Sequence, residues 1–428
     1  MTLLEEAFGL KEYMVGQRNY FHSHPELGLQ EFNTCAHIEE ELLSFGIKTR
    51  RVAGTNVIAE ITGAAPGKTL FLRADIDALP IQEENDVPYK SLNDGVMHAC
   101  GHDGHAAYLL GAARLILAHR NEFNGKVILA FQAAEEIGKG ARDLIKAGIL
   151  DDTDRIFGIH FQSGIKVGMY GIKSGADMAS CDRFKIRING KAAHITTPQN
   201  GADSLFIGAL IASQLQTVVS RLISPVEGGL IGVGSFHSGT TYNIIPGTAE
   251  LEGTIRAFSA ESRRKMARAV ESVAENIAGE YGAKADVIIE DICDPCINPA
   301  ETASEVVQSA RRLVPESQVL TDIEKRFGSD NFADYMRKAP GTYVHVGSTD
   351  GERTAFPHHN EHFDIAEDRK IIQVQAQTDC NHRIAPEEAD KTTVCAFFIL
   401  TSARTGITFF LSLFYFPVFA IIICYAIR

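Results

Sequence analysis

Dense clusters of lysine and arginine are missing from this chain. That argues against a nucleic-acid partner, whose phosphates call for concentrated positive charge. The balance is acidic, with 41 Lys and Arg against 54 Asp and Glu and a formal net charge of −13. An apolar leader is missing too: Met1 to Leu10 carries Glu5 and Glu6 and no hydrophobic core of the kind a secretory signal needs. Cysteine is present, eight residues in all, but scattered. The CDPC run from Cys293 to Cys296 could be redox-active or zinc-binding, yet no second CxxC completes a zinc site. Reduced thiols in a cytoplasmic protein are the expectation. Apolar residues are plentiful, at 45% of 428, enough for a sizeable core divided between two domains.

The periodicity predicts helices over 5–21 and 31–45, separated by FHSHPELGLQEF, where a turn around Pro25 accounts for His22 and His24. Strands follow at 56–61 and 69–74, the second running into RADIDALP with Asp75 and Asp77 at its end. Carboxylates placed where a buried strand opens into a loop are where sites on α/β sheets gather, and Asp77 suits an orienting role. The apolar run 127–131 predicts a strand covered on both faces; it ends in Glu135 and Glu136. On an extended backbone these two would point apart, one binding metal while the other holds or moves a proton. RIFGIHFQ adds a strand that ends near His160.

From about residue 179 the order becomes βαββαβ, which predicts an inserted ferredoxin-like sandwich of about a hundred residues. It carries His194 in GKAAHITTP, and Asn243 and Arg256 in TTYNIIPGTAELEGTIR. Arg256 could pair bidentately with a ligand carboxylate or form a salt bridge within the small domain. The α/β pattern resumes after 291 and leads to FPHHNEHF, where His358, His359 and His362 offer a last metal ligand.

The densest chemistry is MHACGHDGH, with Cys100, His102 and His105 in six residues. Residues two apart on a tight turn point the same way, and Gly101 and Gly104 suit that turn. The helix that starts there favours a thiolate or hydroxide at its N-terminus. A cysteine hydrolase with Cys100 as nucleophile is the competing reading; the surrounding carboxylates and histidines fit a metal site better.

Taken in order, MHACGHDGH, RADIDALP, FQAAEE, GIHFQ, GKAAH, TTYNIIPGTAELEGTIR and PHHNEHFD closely resemble the metal-dependent amidohydrolase branch of the aminoacylase and carboxypeptidase family. Hippurate hydrolases, indole-acetyl-amino-acid hydrolases and the aminobenzoyl-glutamate hydrolase A subunit belong there. The resemblance spans about residues 10 to 368. It implies a zinc-exopeptidase-like α/β/α catalytic domain made of residues 1–178 and 291–388, with a ferredoxin-like lid or dimerisation domain inserted at 179–290. It also implies that Cys100, His102, Glu136, His160 and His359 bind two divalent metals, and that Glu135 is the general base. His194, from its own chain or a partner subunit, would steady the oxyanion, while Asn243 and Arg256 hold the substrate carboxylate. The implied substrate is a small N-acyl or N-aroyl amino acid, cleaved at its amide by water that the metals activate. Zinc, manganese, cobalt and nickel all suit the donor set. A homodimer through the inserted domain is expected.

Three departures from the family pattern stand out. Ala133 or Ala134 replaces the usual Pro before the Glu pair, and GSDNF has Asn331 where the family tends to carry a second acid. The third is the C-terminal part, residues 389–428, where residues 405–427 are 23 uncharged positions, long enough to span a bilayer. That tail reads either as a membrane anchor or as the product of a shifted reading frame. A ligand-binding homologue without activity, anchored by this tail, is the alternative function.

Overall fold

The apolar runs at 69–75 and 126–132 leave no side for solvent, and each becomes a strand enclosed on both faces. In the computed structural model, which describes residues 3–351 and 353–366, they lie parallel and adjacent in an eight-stranded sheet. Its order is Thr49–Val52, Asn56–Thr62, Lys126–Gln132, Thr69–Asp75, Arg155–Lys166, Gly341–Thr349, Tyr170–Gly171 and Val319–Leu320. Helices Lys11–Ser23, Phe32–Ser44 and His102–Ala118 cover one face and share a core with Leu72 and Ile159. Helix Gly140–Lys146 and the short helix Phe332–Tyr335 cover the other, around Phe71 and Ile128. The result is the expected α/β/α layering.

Between 181 and 293 the burial pattern switches to alternation: Cys181–Asn189 is buried at every second residue. Four antiparallel strands pair in the order Gly229–Ser238, Thr248–Ala257, Cys181–Asn189 and Lys284–Cys293. Helices Ser204–Leu222 and Ala260–Glu280 pack on one face over Ile186, Leu251 and Val270. Each starts on a side-chain cap. The Asp203 carboxylate accepts the amides of Leu205 and Phe206 at 3.0 and 3.1 Å, and Ser259 Oγ accepts that of Ser262 at 3.1 Å. On the other face Lys185 donates to Glu250 and Glu252 across the strands at 2.7 and 3.1 Å, beside the exposed Ile288. Helix Ser204–Leu222 is long and apolar enough to cross a membrane by composition. Its Ile207, Ile211, Leu215 and Val218 nevertheless sit in the small sheet's core. The apolar run 405–427 lies outside the described residues.

Candidate metal centre

Strand Thr69–Asp75 connects onward to Lys126–Gln132 on one side of the sheet, while Arg155–Lys166 has Gly341–Thr349 on the other. A crevice therefore opens at their carboxyl ends, the usual ligand position in such sheets. Asp77 and the Glu135–Glu136 pair reach it from beyond strand ends, Cys100 and His102 from the start of a helix, and a further segment crosses from 358–362. His160, expected near a strand end, lies instead within Arg155–Lys166, which runs on past it.

Cys100 and His102 stand on the turn that opens helix His102–Ala118. Gly101 between them has φ +92, a left-handed conformation natural to glycine. At Gly104, a Cβ would come within 2.6 Å of the Phe161 ring, so only glycine lets the helix pack this close to the strand bearing His160. His102 Nδ1 donates to Asp77, at 2.9 Å to its carbonyl oxygen and 3.1 Å to Oδ1. His160 Nδ1 donates to the Phe161 carbonyl at 2.6 Å. Both histidines thereby turn Nε2 inward, the arrangement by which a hydrogen bond on one ring nitrogen readies the other for a metal. His160 Nε2 lies 3.4 Å from Cys100 Sγ. His359, at φ +63, is tied by its amide to the Ala99 carbonyl at 2.8 Å, and its Nε2 lies 3.3 Å from Glu136 Oε1.

The donors fall into overlapping groups, each with its atoms within 4.8 Å of one another: Cys100, His102 and His160; Cys100, Glu136 and His359; His102, Glu135 and Glu136. His102 Nε2 and Glu136 Oε1 are buried without a well-formed hydrogen bond, which is costly unless something else satisfies them. Burial pushes the Cys100 thiol well up, and the Glu136 charge adds to this. A thiolate at this place calls for a cation. One soft thiolate with imidazoles and carboxylate suits a divalent ion of the zinc kind, and the residues present fit two such ions.

Asp75, His102 and His105 also cluster, but His105 is spent elsewhere. Its Nδ1 bonds Asp75, and its Nε2 accepts the Phe161 amide at 3.0 Å. His358 Nε2 donates to the Phe161 carbonyl at 2.9 Å. Two occupied ring nitrogens separate His105 from His102, His160 and His359, and His358 belongs to none of the donor groups. The CDPC cysteines join no such group among the described residues. Cys293 and Cys296 are buried, and Cys296 Sγ faces Met336 Sδ at 3.9 Å.

Glu135 differs from the extended-strand expectation. The strand ends at Gln132, and Ala134 has φ +53. The backbone turns, and both carboxylates bring an oxygen to His102 instead of pointing apart. Pro, with φ locked near −65°, cannot occupy 134, and at 133 it would lack the amide that donates to Asn56 Oδ1 at 2.9 Å. Burial pushes the Glu135 carboxyl well up, reinforced by the charges of Asp330 and Glu136 and opposed by Arg73 and His102. Asn331, suspected at the sequence level of disturbing a substrate contact, is buried under this carboxylate. Its main-chain N–H donates to Glu135 Oε1 at 3.1 Å, and its Oδ1 accepts from Gln132 at 2.9 Å and Arg73 at 3.2 Å.

The candidates from the inserted segment belong to none of these donor groups. His194 and Asn243 lie on and beside the paired strands Ala193–His194 and Ile244–Ile245. His194 is exposed, with Nδ1 2.7 Å from Thr196 Oγ1. Arg256 is half-buried, and donates to Ser329 Oγ at 2.8 Å and Thr254 Oγ1 at 3.0 Å. These bonds involve neither a ligand carboxylate nor an acid of the small sheet. The sequence reading passed over Glu31, whose only signal was an acid ahead of a helix, and named Asp75 with Asp77 at a strand end but gave the orienting role to Asp77 alone.

Donors aimed at one space, beside a carboxylate that none of them needs, define a class: hydrolases in which divalent metal and a protein base act on the same water. Residues 71–378 match the model of Peptidase family M20/M25/M40, and the chain belongs to that family. It is a metal-dependent hydrolase of amide bonds. It is similar to the N-acetyl-L-cysteine deacetylase of Bacillus subtilis, 39% identical over 358 residues that cover 82% of this chain and 85% of that one. It also resembles the N-acyl-L-amino acid amidohydrolase of Geobacillus stearothermophilus, 40% identical over 68% of this chain and 79% of that one. Among solved structures, the Bacillus subtilis YXEP protein, a dinuclear metal binding peptidase from the M20 family, superposes with a TM-score of 0.73 at 36% identity. The match covers 83% of this chain and 93% of that one.

Proposed function

We propose that this enzyme releases an amino acid or aromatic amine from N-acyl and N-aroyl amino acids, with Cys100, His102, Glu136, His160 and His359 holding two divalent metals. The observation that carries the reading is the convergence of these five donors beside Glu135. The names of the similar deacetylase and amidohydrolase support the substrate class. When bound, the metals supply a water of lowered pKa and a polarised amide carbonyl. Glu135, its carboxyl raised by burial and neighbouring acids, accepts the proton from that water and delivers it to the leaving amine. Asp77 holds His102 in the tautomer with a free Nε2. His194, exposed on its two-stranded pair in the inserted segment, donates to the developing oxyanion, and Asn243 and Arg256 hold the substrate carboxylate. In this reading residues 179–290 are a lid that also joins two copies of the chain. The cytoplasm is the proposed location.

The test is metal content together with hydrolysis of hippurate, N-acetyl amino acids and aminobenzoyl-glutamate by the full chain. About two metals per chain, and amino-acid release abolished by a chelator and restored by added metal, are expected. Two bound metals with no cleavage across the panel would overturn the substrate class, and metal-independent cleavage would overturn the mechanism.

A further inference from the structure

The run Ala133–Glu136 is clamped by side chains from other segments. Ala133 N–H donates to Asn56 Oδ1 at 2.9 Å, Ala134 N–H to Glu31 Oε1 at 2.8 Å, and Glu136 N–H to Asp77 Oδ2 at 3.0 Å. The middle clamp is the unusual one. Ala134 sits at φ +53, a conformation that residues with a Cβ adopt only at a cost and that tends to persist where surrounding structure enforces it. Glu31 lies 103 residues away in sequence and is fully buried; its second oxygen accepts the Thr55 hydroxyl at 2.5 Å. The segment carrying it presses on the same spot: a Cβ on Gly28 would meet Ala134 Cα at 3.2 Å. Glu31 belongs to none of the donor groups of the metal centre, and both of its oxygens are taken by Ala134 N–H and the Thr55 hydroxyl, so metal ligation does not explain an acid buried here.

We propose that Glu31 is a positioning residue: its carboxylate fixes Ala134 in the left-handed turn that brings Glu135 and Glu136 to one space. The inference rests on Glu135 as the base and Glu136 as a ligand, and adds what aims them.

The test uses the full chain with E31A, E31Q, A134G and the double variant E31A/A134G. Readouts are zinc affinity by competition with a chelating indicator, kcat and KM on an N-acyl amino acid, and thermal unfolding. E31A weakens zinc binding about tenfold, the lower end for lost outer support of a metal site. It lowers kcat about 10- to 100-fold while KM stays within about threefold, as misplacement of a reacting group predicts. E31Q keeps most of both, because its amide oxygen still accepts the Ala134 amide. In E31A/A134G, glycine adopts φ +53 without the Cβ cost and restores much of the affinity and kcat. Its melting temperature stays low, because Thr55 remains without its partner. A double variant no better than E31A would reduce Glu31 to a structural residue, and an E31A with unchanged affinity and kcat would overturn the proposal outright. If the wild type cleaved no N-acyl amino acid, the substrate reading would fail, and the zinc affinities would still decide this one.

Discussion

His102 and His194 both serve the proposed reaction, and the molecule holds them by opposite means. His102 is buried, its Nδ1 bonded to Asp77 and its Nε2 3.4 Å from Asp75 Oδ2 and 4.0 Å from Glu136 Oε1. His194 stands exposed on a two-residue strand, bonded to the nearby Thr196. The same contrast separates Glu135, supported by the buried Asn331, from Arg256, half-buried on Ser329 and Thr254. Metal chemistry needs donors fixed before the ion arrives, and a layered core provides that rigidity. Groups that grip the substrate must first let it in, so they belong on an element that can approach and withdraw.

Substitutions on the two sides should therefore fail differently, and the largest effect is expected on the buried one. Glu135→Gln keeps the shape and the Asn331 hydrogen bond but cannot accept the proton. A fall in kcat of about 10³- to 10⁴-fold is expected, with metal content unchanged by elemental analysis. Loss of metal as well would make Glu135 a ligand.

His194→Ala comes next, with kcat down about 10²- to 10³-fold and both melting temperature and metal affinity at wild-type values, since nothing packs on an exposed ring. A lowered melting temperature would show that the small-sheet side is not as independent as the contrast holds. Mixing this variant with Glu135→Gln sharpens the point further: recovered activity means that His194 acts on the partner subunit's site.

For Arg256→Ala the expected change lies in KM, up about 10- to 100-fold for an N-acyl amino acid, as for a lost charged hydrogen bond. The rise should be much smaller for the corresponding amino-acid amide. An equal rise for both substrates would remove Arg256 from carboxylate binding. The smallest effect is expected for Asp77→Asn, about tenfold in metal affinity with kcat at saturating metal within a few-fold, because the asparagine side chain can still accept from His102. An unaltered metal affinity would show that the Asp77 carboxylate adds nothing to the support its own carbonyl oxygen gives His102.

Much of this was legible from local pattern. The βαββαβ order between 181 and 293 follows from alternation and helix caps, both short-range signals. The donors in MHACGHDGH, and acids at the ends of buried runs, are visible because chemistry concentrates at strand ends. Three features were not legible. The exclusion of His105 depends on Asp75 and on the Phe161 amide, 30 and 56 residues away. The support of Glu135 by Asn331 spans 196 residues. The joint aim of Glu135 and Glu136 depends on the turn at Ala134, which local propensity argues against.

By itself, then, the chain's order of residues determined the α/β pattern, the inserted βαββαβ unit and the first candidate donors, because periodicity and strand-end chemistry are written within a dozen residues, while the layering and the full donor set were what the family resemblance implied. Only the tertiary structure decided which histidine nitrogens stay free, that Glu135 and Glu136 bring an oxygen to the same space beside His102, and which groups remain on the exposed side. Those choices are made by hydrogen bonds between segments that meet only when the sheet closes, and by the burial that makes each unpaired donor or acceptor costly.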